Sequence, residues 1–277
     1  MTRFVLGSLF LNCQDQIYSE EYIDFIGNRS LIESKYTLDC KQPLGARFAS
    51  LYLKLSDGYE DGTVYGYYNI PKLFGLQDTG SMESSGILQV RENPDLKLDG
   101  SGVLIGFVDT GIDYAGSIFL KQDGTTRVTA IWDQTIPAGS PIRLPAQPEL
   151  PETPENITRT PEGFLYGSEF THEQLNAAVK MEDAYEGISS RDENGHGTFL
   201  ASIAAGNELP DGSFTGAAPK ADIAMVKLKP AKNRLRAYYQ IKEDAVAYQE
   251  NDIMAGGLYL GLFVKNSQQP HELFLGL

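Results

Sequence analysis

The sequence predicts an α/β fold: a partial parallel sheet with helices on both faces, preceded by a small α+β unit. Three observations carry this. Val103-Leu104-Ile105-Gly106-Phe107-Val108 is a continuous apolar run, as expected of a strand buried on both faces of a parallel sheet, and Val128 to Trp132 and Ile223 to Leu228 look similar. Two stretches, His196 to Ala205 and about Glu243 to Val264, carry apolar residues at helical spacing. Before residue 75 the period changes to two: Ala49-Ser50-Leu51-Tyr52-Leu53-Lys54-Leu55 alternates, so it reads as a strand with one buried face. With 277 residues and 42% apolar side chains, the chain is long enough for one large α/β domain or a smaller domain plus an appendage, and a disordered chain is excluded.

In chain order, Arg3 followed by Phe4-Val5-Leu6-Gly7-Ser8-Leu9-Phe10-Leu11 resembles a short signal peptide. No small-x-small cleavage site follows, so a buried first strand or helix is the preferred reading. Tyr18 to Ile26 reads as helical and Val64 to Tyr68 as a strand, which completes an α+β unit over residues 1–75. Cys13 and Cys40 cannot build a disulfide framework; one bridge stays open, with two free thiols preferred. Residues 76–101 are polar and glycine-bearing and read as a junction. The main unit is placed at 102–277. Within it, Pro137 to Gly163 holds 7 of the 14 prolines, too many for a helix or central strand, and reads as a surface insertion. The acidic character extends the insertion to about residue 193: residues 149–193 carry 11 acidic and 3 basic side chains.

The His196–Ala205 helix is given an apolar stripe of Phe199, Leu200 and Ile203 and a stop at Gly206. In the later helix Ala247, Met254, Leu258 and Leu262 are placed on one face. Glu272-Leu273-Phe274-Leu275-Gly276-Leu277 reads as a last strand.

Charge narrows the partners. Lysine plus arginine is 23 and aspartate plus glutamate 37, a net charge of −14, which argues against a general grip on nucleic acid or anionic lipid. No run of 18 apolar residues exists, so no membrane-spanning helix is read.

Two motifs carry chemistry. Phe107-Val108-Asp109-Thr110-Gly111-Ile112-Asp113 puts a carboxylate at the carboxyl end of a buried strand, where α/β folds place active-site groups. Asn194-Gly195-His196-Gly197-Thr198 puts an imidazole at a helix start, with Asp192 or Asn194 as the cap. A buried carboxylate beside such a histidine fixes its tautomer and stabilises the imidazolium during proton transfer. Asp109 and His196 are therefore the candidate catalytic residues, expected within hydrogen-bond reach, with Asp113 expected at the surface. A rival reads Asp-Thr-Gly as half of an aspartic protease built on Asp109 in a dimer; it makes no use of His196. Gly100-Ser101-Gly102 precedes its strand, so dinucleotide binding is discounted.

Together the motifs resemble the subtilases, the subtilisin-like serine peptidases. Gly102 to Asp113 looks like their aspartate motif, Asn194 to Gly206 their histidine motif, and Gly216-Ala217-Ala218-Pro219-Lys220-Ala221 their G-x-A-P-x-A segment. Ile131-Trp132-Asp133-Gln134, Gly163-Phe164-Leu165-Tyr166-Gly167, Asp192 to His196 and Ala247 to Gly256 look like the Csp-type subset of clostridia and related bacteria, which includes spore-germination proteases. The resemblance implies a peptide or protein substrate, Asp109 as orienting aspartate and His196 as general base. It implies that residues 1–75 are a prodomain whose end, near Tyr67 to Gly75, lies in the cleft like a product. The location stays open, with bacterial cytoplasm or a spore-associated site preferred over secretion despite the signal-like start.

One departure is large. The family's G-T-S-M-A-x-P nucleophile segment is not found in these residues: Ser202, Ser213 and Ser267, the serines after His196, lack its context. Thr79-Gly80-Ser81-Met82 only imitates it, ahead of Asp109. The oxyanion asparagine is also expected further downstream. The expectation is the amino-terminal part of a serine endopeptidase, inactive alone, with its last strand unpaired along one side unless a carboxyl-terminal fragment complements it. A pseudoprotease that binds a partner through its cleft or acidic insertion is the alternative. No metal or cofactor is assigned; subtilases often bind calcium, but no ligand cluster here matches those sites.

Overall fold

The computed structural model describes residues 13–35, 40–54, 69–74, 98–145, 157–211, 214–267 and 270–275. An N-terminal unit comprises α1 (Cys13–Tyr18), β1 (Tyr22–Asn28), α2 (Arg29–Lys35), β2 (Lys41–Leu44) and β3 (Phe48–Lys54). Its sheet is antiparallel in the order β1-β3-β2. β4 (Leu73–Phe74) leads to the main unit. There follow β5 (Leu104–Asp109), β6 (Val128–Asp133), β7 (Ser168–Thr171), α3 (His172–Ala178), α4 (Ala184–Gly187), α5 (His196–Ala205), β8 (Asp222–Lys227), α6 (Asn233–Tyr238), β9 (Tyr248–Gln249), α7 (Glu250–Ser267) and β10 (His271–Leu275).

The main sheet runs β10-β5-β8-β6-β7. The first four strands are parallel, and β7 is an antiparallel edge. All six residues of β5 are buried. Its side chains divide by strand alternation. Ile105 and Phe107 join Ile131, Ile223 and Met225 beneath Leu175, Ala201 and Ala205 on one face. Leu104 and Val108 join Trp132, Ala224 and Val226 beneath Ala255, Tyr259 and Leu260 on the other. The second face is also covered by Ile17, Leu44 and Tyr52 of the N-terminal unit, so the two units share one core.

Several expectations change. Tyr22–Asn28 is a strand, where Tyr18 to Ile26 reads as a helix: α1 stops at Tyr18, and all seven residues of β1 find backbone partners on β3. Cys13 and Cys40 are joined as a disulfide, their Cα atoms 5.0 Å apart, so the free-thiol reading is corrected. The insertion is more than surface. Phe164 and Tyr166 are buried, β7 pairs with β6, and α3 sends Leu175, Ala177 and Ala178 inward under a complete capping box from Thr171 and Gln174.

Both helix faces are corrected too. α5 buries Gly197, Ala201 and Ala205, while Phe199 is 47% exposed, because small residues at i, i+4 and i+8 let the helix sit close to the sheet. α7 begins at Glu250, since Tyr248–Gln249 is extended against β4. It buries Ala255, Tyr259, Leu260 and Val264, and leaves Leu262 exposed. Gly256 sets that choice: a Cβ there would stand 3.0 Å from Val108 Cγ1. Residues 1–12 and Val64 to Tyr68 lie outside the described residues. β10 is an edge strand among those described.

Candidate active site

Parallel register brings Asp109, Lys227 and Asp133 side by side at the carboxyl ends of β5, β8 and β6. Asp109 is 1% exposed. Its Oδ1 accepts the Thr110 backbone N–H at 2.6 Å. His196 is the first residue of α5, and its Nδ1 lies 2.9 Å from Asp109 Oδ1 and 3.1 Å from Oδ2. The structure thus brings the two sequence-derived candidates together, with the imidazole side chain 14% exposed.

Two glycines make this approach feasible. Gly195 precedes the helix at φ +87°, a left-handed conformation that disfavours other residues. Gly197 packs so tightly that a Cβ on it would come within 2.2 Å of the Gly111 carbonyl oxygen. The helix start is capped by Asp192, whose Oδ2 accepts the Thr198 N–H at 2.8 Å, while Asn194 Oδ1 accepts the His196 N–H at 3.3 Å. Both capping candidates therefore act.

Burial pushes the Asp109 carboxyl up; hydrogen bonds from His196 and Thr110 oppose this without cancelling it. Tyr248 on β9 is pushed well above the usual phenol range, first by burial and then by the negative charge of Asp109, Asp192 and Glu193. Asp113 is not the surface residue expected. It is half-buried and accepts a hydrogen bond from the Tyr185 hydroxyl. Among the later serines, Ser202 donates to the Thr198 carbonyl within α5. Ser213 and the Thr79–Met82 segment lie outside the described residues. Among the described residues no group of three His, Cys, Asp or Glu side chains is placed to hold a metal, and no helix is long and apolar enough to cross a membrane.

The sequence motifs did not single out Lys227. This buried side chain donates to the Arg191 carbonyl at 2.6 Å and to Glu193 Oε2 at 2.7 Å, which anchors the turn leading to His196. Nor did they give the β4–β9 pairing, which places Leu73 opposite Gln249 on the edge that carries Tyr248. A lysine at a strand end gives no signal until the register is known.

The model of the subtilase family matches residues 100–255, more than half of the chain. The chain belongs to the subtilase family. Among relatives of this subtilase, the subtilisin-like protease SBT3.8 of Arabidopsis thaliana is 30% identical over 144 residues, covering 46% of this chain and 16% of the relative. The subtilisin-like protease SBT3.1 of the same plant is 31% identical over 139 residues, with the same coverage of each. The chain thus spans about a sixth of the length of these relatives. The solved CspB protease of Clostridium perfringens aligns with 69% of this chain and 32% of its own, at 27% identity and a TM-score of 0.49.

Proposed function

We propose that this subtilase chain carries the aspartate and histidine of a serine endopeptidase that cleaves peptide or protein substrates, and that the nucleophilic serine lies outside these 277 residues. One observation carries the reading: a buried carboxylate holds Nδ1 of a histidine at 2.9 Å, at the carboxyl edge of a parallel sheet. With Nδ1–H held by Asp109, Nε2 is the ring nitrogen that takes the proton of an attacking hydroxyl, and Asp109 stabilises the resulting imidazolium. The oxyanion-stabilising group is likewise assigned outside these residues. No metal or cofactor is given a step.

Residues 1–75 act, in this reading, as a prodomain. Its end pairs as a short antiparallel strand with Tyr248–Gln249, the way an extended peptide adds to a sheet edge. Lys72 and Glu250 extend the contact: the Glu250 N–H donates to the Lys72 carbonyl at 2.7 Å, and Glu250 Oε2 accepts the Lys72 N–H at 2.9 Å.

Proton NMR of the chain tests the pair. The chain has only 3 histidines, so the His196 ring protons are assignable. A strongly deshielded Nδ1 proton on His196, lost in Asp109→Asn, is expected. Its absence from the parent chain overturns the proposal.

A further inference from the structure

We propose that Asp192 is the positioning residue that sets the Asp109–His196 distance, acting through the two loops that carry them. The inference rests on that pair being the catalytic one. Asp192 is a single carboxylate placed between both halves of the site. Its Oδ1 accepts the Thr110 hydroxyl at 2.7 Å, the Gly195 N–H at 2.9 Å and the Asn194 N–H at 3.2 Å. Its Oδ2 accepts the Thr198 N–H at 2.8 Å and the Thr198 hydroxyl at 2.7 Å.

These donors belong to opposite sides of the site. Thr110 follows Asp109 directly, and its hydroxyl oxygen in turn accepts the N–H of Gly197, the residue after His196, at 2.9 Å. Thr198 lies two residues after His196, and its hydroxyl oxygen accepts the Asp113 N–H at 2.9 Å. The loop 109–113 and the helix start 194–198 are therefore closed on each other by three side chains, with Asp192 as the shared acceptor.

Only an ionised carboxylate fits this role. It offers about four acceptor sites and no donor, and here it faces donors on both oxygens. Burial alone pushes the Asp192 carboxyl up; the hydrogen bonds from Thr198, Thr110 and Gly195 outweigh burial and hold it below the usual carboxylate range. An asparagine is nearly the same size but turns one oxygen into an amide N–H₂ that meets a donor.

The test compares variants of the 277-residue chain by proton NMR and circular dichroism. Asp192→Asn should keep the fold and lose the deshielded His196 Nδ1 resonance. Arg127→Lys is the control. Arg127 binds the Ala205 carbonyl at the far end of α5, along with those of Ile118 and Ala221. This variant should lower the melting temperature and keep the resonance. If the folded Asp192→Asn variant keeps the resonance, or both variants lose it, the inference is overturned while the Asp109–His196 reading stands. If the parent chain lacks the resonance, that reading falls first and this one with it. Should Asp192→Asn not fold, Thr110→Val and Thr110→Ser decide. Loss in the valine variant with rescue by serine supports the bridge, and retention in the valine variant overturns it.

Discussion

Replacing Asp24 by alanine should be among the most damaging single changes in the chain, although Asp24 lies in the N-terminal unit. It is fully buried on β1, and its Oδ1 accepts from Lys232 Nζ at 2.5 Å. Its Oδ2 accepts the side-chain amides of Gln249 at 2.9 Å and Asn251 at 3.1 Å. Lys232 is 5% exposed, with the Tyr22 carbonyl at 3.2 Å as a further acceptor. Removing one partner of a buried ion pair costs about 3–5 kcal/mol, because the other charge stays buried without compensation. The Asn251 amide also loses this acceptor, whereas the Gln249 amide keeps Asn251 Oδ1 at 3.1 Å; the lost bond pushes the cost to the upper end, at about 1–3 kcal/mol per unsatisfied group. At about 2–4 °C per kcal/mol for a protein of this size, the melting temperature should drop by roughly 10–15 °C. The double variant Asp24→Leu with Lys232→Met should recover much of the loss, since an apolar pair can replace a buried ion pair at little cost. Thermal unfolding followed by circular dichroism reads all three proteins. A drop of less than about 3 °C for Asp24→Ala, or additive losses in the double variant, would refute the reasoning.

Gly197→Ala drives a Cβ into the Gly111 carbonyl, a backbone group that cannot turn aside. A loss of about 1–3 kcal/mol is expected, with the deshielded His196 proton gone, as unfolding curves and NMR will show. If the nucleophile lies outside these residues, as proposed, the 277-residue chain should resist labelling by fluorophosphonate probes, which need an activated serine to form an adduct; mass spectrometry showing a modified serine contradicts this. Asp109→Asn should raise stability at neutral pH. The native Asp109 carboxyl is pushed up by burial, so its ionisation costs more when folded. The parent is therefore penalised relative to the variant as pH rises from about 4, the unfolded value. Melting curves at pH 3 and pH 8 should show the variant's advantage only at pH 8.

Much of the fold was legible because β5, β6 and β8 are apolar on both faces, a pattern that solvent-exposed segments do not sustain. Asp109 and His196 were legible because each sits at an element boundary where one residue decides the geometry. Other features depend on neighbours distant in sequence. Tyr22–Asn28 mixes aromatic and β-branched residues with Asp24, and only pairing with β3 and the buried Lys232 explains an acid inside that strand. The two helix stripes depart from the structure for one shared reason. Periodicity points large apolar residues at the core, whereas α5 and α7 approach the sheet through Gly197, Ala201 and Gly256, leaving Phe199 and Leu262 outside. The Cys13–Cys40 bond depends on α1 lying beside the start of β2, a contact across 27 residues that no local pattern carries.

The shared core bears on what happens when the chain is cut between its two units. Ile17, Leu44 and Tyr52 pack against the β5, β6 and β8 face, and burial of each side chain stabilises by about 1.5–3 kcal/mol. Polar contacts add direction: the Tyr18 hydroxyl donates to the Gln134 carbonyl at 2.7 Å, Gln14 Oε1 accepts the Ala138 N–H at 2.8 Å, and Gln42 donates to the Gly163 carbonyl at 3.0 Å. Departure of the N-terminal unit would expose this apolar surface and strip the Lys232 ammonium of Asp24 and the Tyr22 carbonyl. A cut alone should therefore not release it; release requires the unit to lose its own structure. There the disulfide matters. Closing the 27-residue separation between Cys13 and Cys40 stabilises by about 3.5 kcal/mol through the unfolded chain, and it holds α1, the source of Ile17, Tyr18 and Gln14, against β2. With a specific protease site placed within residues 76–97, the cut fragment should co-elute with the main unit on size-exclusion chromatography, and separate from it once a reductant is added or Cys13→Ser is introduced. Release under oxidising conditions directly after the cut would show that the shared core does not hold the units together.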